Sequence, residues 1–418
     1  MKKITFAFIG MGGRGTKYSG IQFEYPEEME IVAIADTRRC RLDAANEFLK
    51  LPEDRLFDGA DSLLAQPKLA DVLVIATQDA QHREHALAAL EKGYDILLEK
   101  PIATTLEDCQ EIAVAAEKYG RRVIICHVLR YAPFFREIKR LIDQGAIGKV
   151  ESIQATEQVG YYHYAHSYVR GNWNKKETSS PMILAKSCHD LDIFLWLTGK
   201  KCRKVSSFGS LDYFRKENCP EGTPERCMEG CTLDCPFHAE KFYLSRIPGW
   251  PANILNPKPD EENIREALRT TDYGKCVFKM DNNVVDHQVV NMLLEDGATV
   301  NFTMCGFTEK QKRKIFIMGT EGEIIGDTSE RKVTVTRFNK EPVEIDLNKL
   351  YNNFAGHGGG DSGLIHDVIR LFRGDDFDTS AITSIERSVE SHYVAFAAEH
   401  SRLNEGEVVD TEKFVAEN

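Results

Sequence analysis

Three groups of residues in this chain have types and spacings that could do chemistry. The first is Glu99-Lys100-Pro101, which directly follows the apolar run Ile96-Leu97-Leu98. A lysine at the carboxyl end of a buried strand stands where open α/β sheets bind their ligands. Partial desolvation there lowers an ammonium pKa and suits it to acid or electrostatic catalysis. The proline beside it restrains the backbone that aims the side chain. The second group is Gly10-Met11-Gly12-Gly13-Arg14-Gly15, at the end of the apolar run from Ile4 to Ile9. This is G-x-G-x-x-G: Gly10 allows the tight turn, Gly12 the approach of a pyrophosphate, and Gly15 the packing of a helix whose N-terminus faces the phosphates. The third is Cys219, Cys227, Cys231 and Cys235, spaced C-x7-C-x3-C-x3-C. In a reducing compartment such a cluster reads as a structural tetrahedral zinc site, with free or redox-paired thiols as the alternative.

The elements needed to position these groups are also legible. A strand from Ile31 to Ala35 ends in Asp36, twenty-one residues past Gly15. A carboxylate there accepts both adenosine ribose hydroxyls and repels a 2′-phosphate, so NAD is favoured; Arg38 and Arg39 soften the repulsion and leave NADP possible. Val72 to Ala76 is a further strand, followed by Thr77 and by His82 near the start of a helix. His82 is either a crevice residue or a helix-start histidine. Strands at Ile96–Leu98 and Arg122–Cys126 continue the alternation. Helices between successive strands imply right-handed parallel crossovers and a doubly wound sheet, whose crevice Thr77, Lys100 and His127 line.

Bulk properties set the frame. At 418 residues, two domains are expected. A net charge of −12 argues against a nucleic-acid partner. No apolar run reaches bilayer-spanning length, and the N-terminus enters a strand with no signal-peptide pattern. Eleven cysteines, several within apolar runs, suit reduced thiols in a cytoplasm.

With these motifs, Ala76-Thr77 and His82, and His189-Asp190-Leu191-Asp192, the chain resembles the Gfo/Idh/MocA family of NAD(P)-dependent oxidoreductases over nearly its whole length. The resemblance implies an N-terminal Rossmann domain, placed at residues 1–128. It implies a C-terminal α/β domain on a large, mostly antiparallel sheet, placed at 129–418, with homodimers or homotetramers formed through that sheet. It also implies hydride transfer between a nicotinamide and a sugar, polyol or glycoside hydroxyl. Lys100 would stand beside the reacting hydroxyl, His189 would handle its proton, and Asp192 would be the second acid of H-x-x-D. Gly10, Met11, Gly12, Arg14, Gly15, Asp36, Arg38, Thr77, His82, Glu99, Lys100 and His127 would surround the cofactor. One departure stands out: Ala185 occupies the place of an aspartate found in many members, and Lys186 follows it. A lysine near His189 is expected to favour the neutral imidazole by charge repulsion, which makes Lys186 a third catalytic candidate.

Residues 161–173 are dense in aromatic and hydrogen-bonding groups. Tyr161, His163, His166, Arg170 and Trp173 suit a carbohydrate-like substrate, rings stacking on sugar faces and polar groups binding hydroxyls. The alternative is a structural loop anchored by its rings. A Cys-rich insertion is expected at 215–260, a helix after Asp361 with that residue either capping it or facing the substrate, and a final helix from Ser384 to Arg402 packing back on the first domain. A redox-neutral NAD-dependent glycosidase or lyase is the second functional reading, and a non-catalytic NAD-binding regulator the third.

Overall fold

The computed structural model describes residues 3–418. The first sheet contains β1 (Ile4–Ile9), β2 (Met29–Ala35), β3 (Leu56–Phe57), β4 (Val72–Ile75), β5 (Asp95–Leu98) and β6 (Val123–Ile125). Its order is β3-β2-β1-β4-β5-β6, and every pairing is parallel. Helices cover both faces, which explains why β4 and residues 96–98 of β5 read as unbroken apolar runs rather than alternating ones. The order reverses at β1, with β2 on one side and β4 on the other. A crevice therefore opens beyond their carboxyl ends, and it is there that the glycine loop, Thr77 and Lys100 emerge.

The second sheet has nine strands: β7 (Val150–Gln158), β8 (Cys202–Ser210), β9 (His287–Leu294), β10 (Thr299–Cys305), β11 (Lys312–Gly319), β12 (Gly322–Asp327), β13 (Lys332–Arg337), β14 (Val343–Asp346) and β15 (Val409–Asp410). They are ordered β14-β13-β12-β11-β7-β10-β9-β8-β15, antiparallel except for the parallel pair β7–β10. Alternation is clear in β10, where Val300, Phe302 and Met304 are buried and Thr299 and Asn301 exposed. The inward face packs on the helices Pro133–Asp143, Cys188–Thr198 and Ile385–Leu403. Ile385 and Val389, at the start of the last of these, enter the core of the first sheet.

Two boundaries differ from the sequence reading. The sequence from Val284 to Leu294 predicts a strand over that whole range, but β9 begins at His287. The buried carboxylate of Asp286 accepts the N–H groups of Asp212 and Tyr213, which pulls the preceding residues out of the ladder. The sequence predicts one helix from Lys186 to Trp196, but the helix begins at Cys188, after a separate turn at Met182–Ala185, so Lys186 and Ser187 lie in a break between the two. Between β8 and β9 the chain leaves the sheet from Leu211 to Asp286, a longer excursion than the Cys-rich stretch alone. It has a small core of its own, made of Cys227, Ala239, Tyr243, Ala252, Leu255, Ile264 and Leu268. Among the described residues no helix is long and apolar enough to cross a membrane.

Candidate active site

The glycine loop has the shape of a phosphate cradle. A Cβ on Gly15 would stand 1.9 Å from the Gly10 carbonyl oxygen, and one on Gly10 would stand 2.5 Å from that of Ala76. At Gly12, by contrast, the nearest atom is 3.7 Å away, on the Arg41 guanidinium, so the loop is packed beneath and open above. The helix Gly13–Gly20 has no side-chain cap, which leaves its first amides free for an anion. Asp36 is buried: its Oδ2 accepts the Met11 N–H at 2.8 Å and its Oδ1 accepts the Arg38 N–H at 2.8 Å. The loop fits a dinucleotide, and Gly15→Ala is expected to weaken NADH binding at least about tenfold, because a backbone atom must move to admit the methyl group. Fluorescence titration with NADH checks this.

Lys100 follows β5, and its Nζ donates to the Ala185 carbonyl oxygen at 2.7 Å. Ala185 lies one turn ahead of His189, so this bond ties the strand end to the helix that carries the histidine. His189 is buried, its Nδ1 has no partner, and its ring lies 5.6 Å from that of His127 and 6.2 Å from that of His357. Burial pushes its pKa well below the ordinary histidine range, and the Lys100 charge pushes the same way. The ring is neutral and able to accept a proton. The charge that repels its protonated form most is that of Lys100, where the sequence reading gave that part to Lys186.

Lys186 turns elsewhere. Its Nζ lies 3.4 Å from the Glu157 carboxylate, at the inward end of β7. Glu157 is fully buried and also meets Arg313 at 2.6 Å, while the Arg313 Nε donates to Asp190 at 2.7 Å. Desolvation raises the Glu157 pKa, against the pull of both cations. Desolvation lowers that of Lys186, against the pull of Glu157. Neither Glu157 nor Arg313 was singled out from sequence. The inward register of β7, with a lone acid among apolar neighbours, was the available signal for Glu157.

Several other candidates have structural partners. Asp192 forms a buried two-point ion pair with Arg130, at 2.7 and 2.5 Å. His82 is buried, and its Nδ1 donates to the Pro101 carbonyl oxygen at 2.7 Å, steadying the segment after Lys100. Thr77 Oγ1 bonds His85 Nδ1 at 3.1 Å. Arg14 is shared by Glu99 at 2.9 Å and Asp361 at 2.7 Å, and Glu99 also accepts from Tyr18. Asp361 therefore does not cap its helix, whose N-cap is Gly359. His127 is wholly buried with both ring nitrogens unpartnered. His392, which sequence reasoning missed, accepts the Ile102 N–H at 2.9 Å.

The aromatic segment divides in two. His163 keeps an Nδ1 bond to Gln311 at 3.0 Å, and its pKa is pushed well down by burial and then by the Lys186 charge. Tyr161 packs on Tyr162 and Phe237. His166 and Arg170 anchor the excursion after β8, while Trp173 binds the first domain. His166 bonds the Tyr243 hydroxyl at 2.7 Å, Arg170 donates to the carbonyls of Lys275 and Phe237, and the Trp173 Nε1 donates to Asp79. The excursion in turn reaches the cofactor loop, with Ile254 Cδ1 3.1 Å from a Cβ placed on Gly13. Trp250, also missed, is 39% exposed and meets the His163 ring at 5.0 Å, at the mouth of the pocket.

The expected zinc site is not formed. Among the described residues no set of three or more His, Cys, Asp or Glu side chains converges closely enough to hold a metal ion. Cys227, Cys231, Cys235 and Cys276 instead line a cavity of about 250 Å³ together with Phe237 and Phe278, and the Cys227 Sγ meets Arg170 Nη2 at 3.8 Å. Spread over the wall of a partly apolar cavity, the thiols do not reach the tetrahedral spacing zinc requires.

Burial makes the molecule acid-sensitive. The pKa values of His166 and His392 are each pushed down to about 3 from 6.5, chiefly by desolvation. Between those limits the unfolded chain binds more protons than the fold, so stability is lost as pH falls below about 6.5, by about 1.4 kcal/mol per pH unit for each ring. A thermal midpoint that stays level from about pH 7 to about pH 4 would falsify this.

Comparison with known proteins agrees with the architecture. Residues 4–127 match an oxidoreductase family's NAD-binding Rossmann fold, and residues 139–401 match the same family's C-terminal alpha/beta domain. The chain belongs to the Gfo/Idh/MocA oxidoreductase family. It is 25% identical over 395 residues to the Bacillus subtilis protein YteT, covering 90% of each chain. It is 32% identical over 132 residues to inositol 2-dehydrogenase 2 of Saccharopolyspora erythraea, covering 31% of this chain and 36% of that one. A levoglucosan dehydrogenase structure in complex with NADH shares the Gfo/Idh/MocA fold, with a TM-score of 0.71 at 18% identity over 98% of this chain and 99% of that one.

Proposed function

We propose that this Gfo/Idh/MocA protein is an NAD-dependent dehydrogenase of sugar or polyol hydroxyl groups. The observation that carries the reading is the Lys100 Nζ bond to Ala185, which sets an ammonium beside the neutral His189 in the crevice of a dinucleotide fold. When bound, the nicotinamide accepts the hydride from the carbinol carbon. Lys100 donates to the reacting oxygen and stabilises the negative charge that grows there. His189 takes the hydroxyl proton. The glycine loop and the helix behind it hold the pyrophosphate, and Asp36 favours NAD over NADP, although Arg38 and Arg41 beside it reduce the margin. Inositol and levoglucosan dehydrogenases among the relatives support a polyhydroxylated substrate.

The eleven cysteines are free thiols, which suits a cytoplasmic enzyme. The outer face of the large sheet, with Phe208 and Ile325 exposed, suits a homodimer or homotetramer. The test is net NADH formation from NAD and a panel of inositols, neutral sugars, glycosides and sugar acids. Production with at least one, lost in Lys100→Met, is expected. No NADH from any of them would sink the proposal, and turnover without net NADH would favour transient oxidation instead.

A further inference from the structure

Oxidation of a carbinol leaves one proton for every hydride transferred, and that proton has to reach solvent. His189, which takes it first, is 5% exposed, and its Nδ1 has no partner. Burial and the Lys100 charge both disfavour its protonated form. The ring becomes neutral again for the next turnover only by handing the proton on. Two other imidazoles flank it. His127, at 5.6 Å between ring centroids, is wholly buried and offers no path to water. His357, at 6.2 Å, keeps 34% of its side-chain surface exposed.

His357 is also built to receive a proton. Its Nδ1 donates to Asp361 Oδ1 at 2.9 Å, since a carboxylate only accepts. That bond fixes the tautomer and leaves Nε2 as the acceptor. Asp361 is itself held by Arg14 at 2.7 Å. Burial works against the Asp361 charge, but Arg14 and His357 together keep its pKa below the ordinary carboxylate range. An ionised carboxylate behind an imidazole stabilises the imidazolium that forms when the far nitrogen takes a proton. The backbone is committed to this placement. His357 sits in the left-handed region, at φ 45° and ψ 40°, between Gly356 and Gly358, whose φ angles are also positive. A side chain other than glycine held in that region is a mark of functional placement.

The charged groups that face His357 are Arg14 from the helix Gly13–Gly20, Asp361 from the helix Gly360–Arg373, and Lys186 from the break before the His189 helix. Enclosure lowers its pKa, Arg14 adds to that, and Asp361 opposes it. His189 has no bonded carboxylate, and its pKa is pushed further down. Transfer from His189 to His357 is therefore downhill.

From this geometry we infer that His357, oriented by Asp361, is a second proton carrier: it takes from His189 the proton of the substrate hydroxyl and delivers it to solvent. The inference rests on the dehydrogenase reading of the same pocket. The substrate O–H bond breaks as an N–H bond forms on His189. That proton then passes through one bridging water or substrate hydroxyl to Nε2 of His357 and leaves to bulk water, so both rings end neutral. An oxygen bonded to a nitrogen of each ring, at about 2.9 Å, fits between centroids 6.2 Å apart.

The test replaces His357 by glycine, which the left-handed backbone accepts and which opens room for free imidazole. NADH formation is followed by stopped flow and in steady state, with each inositol, sugar and glycoside that the wild-type enzyme oxidises. In His357→Gly, kcat is expected to fall at least about tenfold, while the first turnover stays within about threefold of wild type, because His189 still takes the first proton. Free imidazole should restore the lost rate, and more so as its neutral fraction rises. His357→Asn, which tolerates this backbone and cannot carry a proton, should lose kcat equally. A smaller fall in kcat, a first turnover that falls with it, a loss that imidazole leaves unrepaired, or an active His357→Asn overturns the inference and leaves the dehydrogenase reading standing. No NADH from the wild-type enzyme with any of these compounds removes both.

Discussion

Replacing Lys100 by methionine is expected to lower kcat/KM by about a thousandfold, since both the hydrogen-bond donor to the reacting oxygen and the charge that stabilises the developing oxyanion are removed. Methionine nearly preserves the volume of the side chain, and the bond lost inside the protein is the one to the Ala185 carbonyl oxygen. The glycine loop and Asp36 are untouched, so NADH should still raise the thermal midpoint. The loss should fall mainly on kcat, because the ammonium interacts more strongly with the oxyanion than with the hydroxyl. Activity within about threefold of wild type would remove Lys100 from the chemistry and require another group to carry it.

Asp192→Ala is expected to act on the fold. The pair with Arg130 is buried on both sides, with the Asp192 side chain 1% exposed and that of Arg130 4% exposed. Removing one partner strands a buried guanidinium, which costs about 3–5 kcal/mol. The thermal midpoint should drop by roughly 5–10 °C, to be read by calorimetry or circular dichroism. Asp192 lies on the helix that carries His189, and its carboxylate is also 4.0 Å from His127, so some activity will be lost through misplacement of that helix. If instead the midpoint moved by about a degree or less and KM rose alone, Asp192 would be a substrate ligand after all.

How much of this was legible beforehand follows from what each signal depends on. The Rossmann half was readable because its devices are local. Glycine at positions 10 and 15 is demanded by close approach of the backbone, and β4 and residues 96–98 of β5 are continuous apolar runs. The mostly antiparallel sheet of the second domain came from family resemblance, and its strand limits shifted where Asp286 diverts the chain. The pocket's polar wiring was the least readable part. Glu157 and Arg313 lie on neighbouring antiparallel strands far apart in sequence, and His357 and His392 arrive from later segments. Equally, nothing in H-x-x-D announces that its acid will meet Arg130.

By itself, then, the sequence determined that a dinucleotide fold would place Lys100 at a strand end, because strand, turn and helix signals act over a few residues. Only the tertiary structure decided which charges meet there. It turned Asp192 to Arg130, Lys186 to Glu157, and Cys227, Cys231 and Cys235 to a cavity wall rather than a metal. A buried ion pair forms or fails according to distances set by the packing of whole elements, and residue spacing along the chain does not encode those distances.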